Sequence, residues 1–162
     1  MEDIKIQEME PKKLIGMSIE TSVIDSQAIH VWKKFMPSQK DVPGKNPGIF
    51  YSIQDYPQGY LDKFDPEAPF TTWAAKEIEI TKNIPDDFKL VDLKGGIYVT
   101  FLHKGSAGEI GNALAYMYGQ WIPENGYLID TQRKHFEVLS KNYAGPSNPN
   151  SQEVVWIPIL KK

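Results

Sequence analysis

A chain of 162 residues with 41% hydrophobic and 24% charged residues reads as one globular domain, and its net charge of -3 argues against a phosphate-binding surface. The absence of cysteine excludes disulfides, thiolate catalysis and cysteine-ligated zinc. The acidic start Met1-Glu2-Asp3 is unlike a signal peptide, and no apolar run is long enough for a membrane span. The expected setting is therefore cytoplasmic, with no membrane and no direct nucleic-acid partner.

In chain order, Ile4 to Thr21 reads as extended chain broken near Pro11. Ser26 to Met36 reads as an amphipathic helix, because Ala28, Ile29, Val31, Trp32, Phe35 and Met36 recur at helical spacing, and Pro37 is expected to stop it. Strands are expected over Ile49 to Tyr56 and Thr71 to Ile80, with the loop of Pro57, Gly59 and Pro66 between them. The alternation Lys76-Glu77-Ile78-Glu79 reads as a solvated strand face.

The second half repeats this order. Ile97 to His103 predicts a strand, and Ser106 with Glu109 has the spacing of a capping box. Behind it Ile110, Ala113, Leu114, Met117 and Trp121 mark one face of a second helix, ended by Pro123 and Gly126. Gln132 to Leu139 and Glu153 to Leu160 complete the pattern as strands.

The expected fold class is α+β: one domain over residues 1–162, with pseudo-repeat halves of about 1–92 and 93–162. Two βαββ units would form one antiparallel sheet with both helices on one face and a ligand groove on the other. Ile29, Trp32, Ile110, Leu114 and Met117 should then be buried between helices and sheet. Several strands are apolar on both sides; Val154, Trp156 and Pro158 alternate with Val155, Ile157 and Ile159. An antiparallel sheet normally needs one apolar face, so the second asks for a partner or a ligand. An aromatic content of 12% fits a hydrophobic ligand site.

Four segments resemble one known family. Gly95 to Gly105 is similar to the glycine, aromatic-strand, His-x-Gly segment of the GyrI-like (AraC-type effector-binding) family. Trp121-Ile122-Pro123-Glu124-Asn125-Gly126-Tyr127 resembles its Trp-Leu-Pro turn, His135-Phe136-Glu137-Val138 its Phe-Glu strand, and Val155 to Ile159 its closing strand. The first half matches mainly through Trp32 and Tyr51. The resemblance implies a freestanding binder of hydrophobic, often cationic, drug-like molecules, of the kind found on mobile cassettes. A domain starting by about Ile4 leaves no room for a preceding helix-turn-helix.

The resemblance puts Glu137 at the groove floor, facing a cation. Physically, a carboxylate starved of water rises in pKa, and a diffuse lipophilic cation relieves that cost. The alternative is a solvated Glu on an alternating strand. Trp32, Tyr51, Trp73, Tyr98, Phe101, Tyr116 and Trp156 are the aromatic candidates for the same groove, against plain core packing for each. Trp121 and Phe136 are expected in the core between sheet and helices. Leu139 and Val154 stand where family members often carry an aromatic and a second acid, which implies a less anionic pocket.

The competing reading is catalytic. A hydrolase subset of the family opens strained, cyclopropane-type rings of genotoxins, and Glu137 with Tyr98 would be its general base and leaving-group partner. No cofactor is expected. His30, His103 and His135 have no metal-ligand spacing, and Gly105 with Gly108 lacks the remainder of a phosphate loop. A regulator protein or a second copy of the chain is a possible partner.

Overall fold

The computed structural model describes residues 1–79 and 82–162. Among these, nine strands form: β1 (Glu2–Met9), β2 (Lys12–Thr21), β3 (Phe50–Asp55), β4 (Phe70–Glu77), β5 (Lys89–Leu93), β6 (Gly96–Lys104), β7 (Tyr127–Ile129), β8 (His135–Leu139) and β9 (Gln152–Lys161). All pairings are antiparallel, in the order β1-β6-β9-β8-β3-β4-β2-β5, with β7 on the far end of β9. The α+β class and the antiparallel sheet are as expected. The additional strands are β5, of five residues, and β7, of three. Ile80, the expected end of the second long strand, lies outside the described residues.

Helix α1 (Ala28–Ser38) packs on β2 and β4. It starts two residues later than the spacing predicts and carries Pro37 within its last turn. Proline is tolerated there because the carbonyl it would crowd belongs to solvent-exposed Lys33. Val31 and Phe35 are buried, whereas Ile29 is 52% exposed, contrary to expectation. The apolar residues fall on one side of the helix, opposite exposed His30, Lys33 and Lys34, and Ile29 lies at the edge of that arc beside Lys33, so spacing finds the inner face but not where burial ends.

The second helix is composite. A 3-10 turn, Ala107–Glu109, opens it, with the Ser106 N–H donating to Glu109 Oε2 at 2.9 Å as the capping spacing predicts. Helix α2 (Ile110–Tyr116) follows, then a π-turn (Met117–Trp121) and a last short turn α3 (Ile122–Glu124). Met117 and Ile122 are buried against β6 and β9, while Ile110, Leu114 and Trp121 are half-buried at the same interface.

One row of residues shows which face each helix covers. The register places Met17, Ala74, Ser52, Glu137, Val155 and Phe101 side by side across β2, β4, β3, β8, β9 and β6. Met17 and Ala74 pack with Val31 and Phe35 of α1, and Val155 and Phe101 pack with Met117 of the second helix. Both helices therefore lie on one face, and Ser52 and Glu137 fall between them.

The opposite face is not an open groove. β1 and β2 stand near opposite ends of the strand order, yet only Glu10 and Pro11 join them. β5 and β6 are likewise joined by Lys94 and Gly95 alone. Two links this short draw the ends of the sheet together and curl it. An ideal Cβ on Gly95 would lie 2.8 Å from both Met9 O and Pro11 Cδ, so glycine is what lets the two links cross. The inside of the curl is filled by Met9, Leu14, Tyr51, Leu93, Tyr98 and Phe136. Here the second apolar face of the strands becomes a core, each large side chain contributing about 1.5–3 kcal/mol by burial.

Lys76 and Glu77 also depart from the solvated reading, since both are buried. The Lys76 ammonium donates to Gln39 O, Gln39 Oε1 and Val42 O beyond the end of α1. Glu77 meets Lys12 at 3.4 Å and accepts from Asn46 Nδ2 at 3.0 Å. Each charge is compensated, as burial requires.

Candidate ligand site between the two helices

Alternation along β8 turns His135, Glu137 and Leu139 toward the helices and Phe136 and Val138 into the curl. Glu137 stands where neither helix covers the sheet. A cavity of about 160 Å3 opens over it, walled by Gln54, Tyr56, Leu114, Tyr118, Val155 and Ile157. Its Oε2 is shut off from solvent and accepts no hydrogen bond among the described residues. Burial pushes the carboxyl from its ordinary 4.5 up to about 8; the Glu153 carboxylate adds to the rise and the Gln54 side chain opposes it. Glu153 comes close because it lies two residues from Val155, the cross-strand partner of Glu137, on the same face.

The remaining groups around the carboxylate are aromatic. Tyr118 Oη lies 3.1 Å from His135 Nδ1, and burial holds that imidazole down at about 3, so it is neutral. The ring of Tyr56 stands edge-on to His135 at 5.0 Å and stacks on Tyr60 at 4.6 Å. Phe70 closes this group at 5.1 Å from Tyr56. Burial raises the Tyr56 and Tyr118 hydroxyls well above their ordinary value, and the carboxylate of Glu137 raises both further. Tyr143 faces Glu153 and Glu137 from the β8–β9 loop and is raised by burial and by those two acids. The site thus offers one carboxyl oxygen without a hydrogen-bond partner among the described residues, surrounded by neutral, protonated aromatics.

A model of the GyrI-like small molecule binding domain matches residues 2–160. The chain belongs to the GyrI-like family. The transcriptional regulator BrlR of Pseudomonas aeruginosa is 26% identical over 156 residues, which are 96% of this chain and 54% of that protein. The GyrI-like chain therefore spans about half the length of this curated relative. The C-terminal domain of EcmrR superposes with a TM-score of 0.71 at 17% identity, covering 99% of this chain and 98% of that one. SAV2435 bound to tetraphenylphosphonium gives 0.67 at 10% identity, covering 98% and 94%. At these identities the structural likeness shows the GyrI-like fold.

The structure separates the residues that the sequence groups with Glu137. Tyr51, Trp73, Tyr98 and Trp156 all lie on the other side of the sheet, inside the curl. Tyr98 is fully buried there, donates to Lys94 O at 2.5 Å and lies under the Arg133 guanidinium at 4.7 Å. It cannot share a substrate with Glu137 across the sheet. Trp156 stacks on Phe136 at 5.4 Å, so Phe136 too sits in the curl rather than beneath the helices. Phe101 is core under the second helix, and Tyr116 is 39% exposed on that helix's outer side. Trp32 packs edge-on to Phe35 and Phe50 beside α1, outside the cavity wall.

Sequence reasoning missed Gln54, Tyr56, Tyr60, Tyr118 and His135. For Tyr118 a signal existed: it follows Leu114 by four residues and so shares its stripe. For Tyr56 the expected strand Ile49 to Tyr56 offered one, since position 56 follows Ser52 and Gln54 at period 2; for Tyr60, positioned by a turn, none did.

Proposed function

We propose that this GyrI-like chain binds hydrophobic, cationic small molecules at Glu137, as a sensing or sequestering domain. The observation that carries the proposal is the buried, partnerless Oε2 of Glu137 in an aromatic-walled cavity between the helices. An anionic oxygen without water or a donor is destabilised, and a cation with little hydration of its own relieves it. The electron-rich faces of Tyr56 and Tyr118 add attraction of about 0.5–2 kcal/mol each where the ring faces the charge. The tetraphenylphosphonium held by SAV2435 is a ligand of this chemical type and supports the reading.

Calorimetry with N-butylpyridinium and its neutral counterpart N-butylpyridone tests the proposal. Glu137→Gln keeps the shape and removes the charge. Affinity for the pyridinium should fall by about 1–3 kcal/mol, the scale of a lost charge-assisted contact. Affinity for the pyridone should hold or rise. Equal losses for both ligands would reduce Glu137 to a packing residue. Turnover of an activated cyclopropane, lost in the Gln variant, would replace the binding reading with the hydrolytic one, with Tyr56, Tyr118 or Tyr143 in the part first given to Tyr98.

A further inference from the structure

Two cavities share one lining residue. Tyr56 lines the chamber over Glu137 and also a larger one, of about 630 Å3, between the turn that follows β3 and the loop Thr131–Lys134. The turn that holds Tyr56 has a specific cause. Tyr60 N–H donates to Pro57 O at 3.0 Å, and Gly59 has φ +85°, the geometry of a type II turn that requires glycine at its third position. The chain therefore doubles back and lays Tyr60 against Tyr56 in a stack with 12° between the rings. Tyr56 stands just beyond the last residue of β3, where the chain leaves the sheet.

We infer that Tyr56 is a gate between two subsites of one binding site. The inner subsite takes a single cationic aromatic ring against Glu137, and the outer takes a neutral, hydrogen-bonding arm of the same molecule. This rests on the cation-binding reading above and adds the shape and the second functional group of the ligand.

Size supports the first half. A cavity of about 150 Å3 accepts a benzene-sized ring, whereas pockets for drug-sized ligands run to about 300–1,000 Å3. At about 160 Å3 the inner chamber is a one-ring site, and joined to its neighbour it reaches the larger class.

Charge and chemistry support the second half. Asp55 and Asp62 face Arg133 and Lys134 around the outer chamber, so its wall has no net charge. Lys134 lies 3.9 Å from Asp55. Arg133 is held elsewhere: its Nε donates to Asp130 Oδ2 at 2.7 Å and its Nη2 to Ile159 O at 2.8 Å, while its Nη1 is buried beside Gly96 without a partner among the described residues. Gln132 N–H donates to Asp130 Oδ1 at 2.9 Å, which stiffens the same loop. What this leaves for a ligand is the amide and hydroxyl chemistry of Gln58, Thr131 and Gln132. Such groups suit an amide or a hydroxyl, and a wall with no net charge favours neither sign of charged arm.

The test uses three pyridinium salts: N-butylpyridinium, a long-chain N-alkylpyridinium ending in methyl, and the same chain ending in a primary amide. In the wild-type chain the amide-ended salt should bind about three- to tenfold more tightly than its methyl-ended twin. The double variant Gln58→Ala, Gln132→Ala should erase that preference and leave N-butylpyridinium within about twofold. Tyr56→Ala should speed association of the long salts, measured by stopped flow, relative to Tyr56→Phe. Equal binding of the two long salts, or a preference that survives the double variant, overturns the outer subsite. Equal association rates in Tyr56→Ala and Tyr56→Phe overturn the gate. Failure of N-butylpyridinium to bind, or binding indifferent to Glu137→Gln, overturns the cation reading itself.

Discussion

Glu137 costs the empty protein stability for the same reason that it suits a cation. Its carboxyl ionises near 4.5 in the unfolded chain and near 8 in the folded one, so folding favours the protonated form. That contribution is complete below the unfolded value and is lost as pH rises toward 8. Glu137→Gln should therefore be more stable than wild type at pH 8 and nearly equal at pH 4, measured by urea unfolding. Ligand binding runs the other way: affinity for N-butylpyridinium should rise with pH through the same range, as the carboxylate forms. His135 produces the opposite limb. Its folded value is depressed from 6.5 to about 3, so its contribution is present above 6.5 and disappears as pH falls toward 3. In His135→Gln the acid side of the stability profile should be shallower than in wild type. Trp156 now belongs to the fold rather than to the ligand. Trp156→Ala should lower stability by about 3 kcal/mol while leaving the affinity of the folded fraction for N-butylpyridinium within about twofold.

At the scale of elements, the strands and helices legible in the chain were those with a long, regular pattern. β6, β9 and the stripe Ile110, Leu114, Met117 follow from spacing, because one face of each meets a large apolar surface. The inner face of α1 was legible only in part: His30, Lys33 and Lys34 mark the outside, but spacing does not say where burial ends along the apolar arc, and Ile29 at its edge is exposed. Close approach between strands is invisible to pattern as well. An ideal Cβ on Gly16 of β2 would lie 2.3 Å from Ala74 O and 2.8 Å from Ala75 Cβ. Glycine here lets β2 and β4 seat against each other on the side facing the curl, where Ala75 packs. Gly16→Ala should splay that pair and lower stability by about 1–3 kcal/mol in urea titration, more than alanine at Gly111, where nothing lies within 4 Å. The π-turn at Met117–Trp121 had no signal either. It adds slack to the helix between two buried anchors, Met117 and Ile122, and Tyr118 projects from it onto His135.

For the molecule as a whole, net charge and fold point the same way. A formal charge of -3, without a basic stripe, gives the chain little attraction for phosphates. No sequence-specific shift of duplex DNA is expected in an electrophoretic assay at about 0.15 M salt; a specific shift would show a surface that the charge distribution does not suggest. Family and fold class were legible in the chain, because motif order and strand alternation are local properties. Alternation says that Glu137 and Phe136 point to opposite sides, but it does not say which side the helices take. That choice depends on where each strand sits in the sheet. The two-residue links at Glu10–Pro11 and Lys94–Gly95 pull distant strands together and close the curl around one face. Once that face is full of Tyr98, Phe136 and Leu14, the free space is the gap left between two helices on the other. Only the tertiary structure could put Gln54, Tyr56, Tyr118 and Glu137 around that gap, because they come from a strand, a turn, a helix and another strand far apart in sequence.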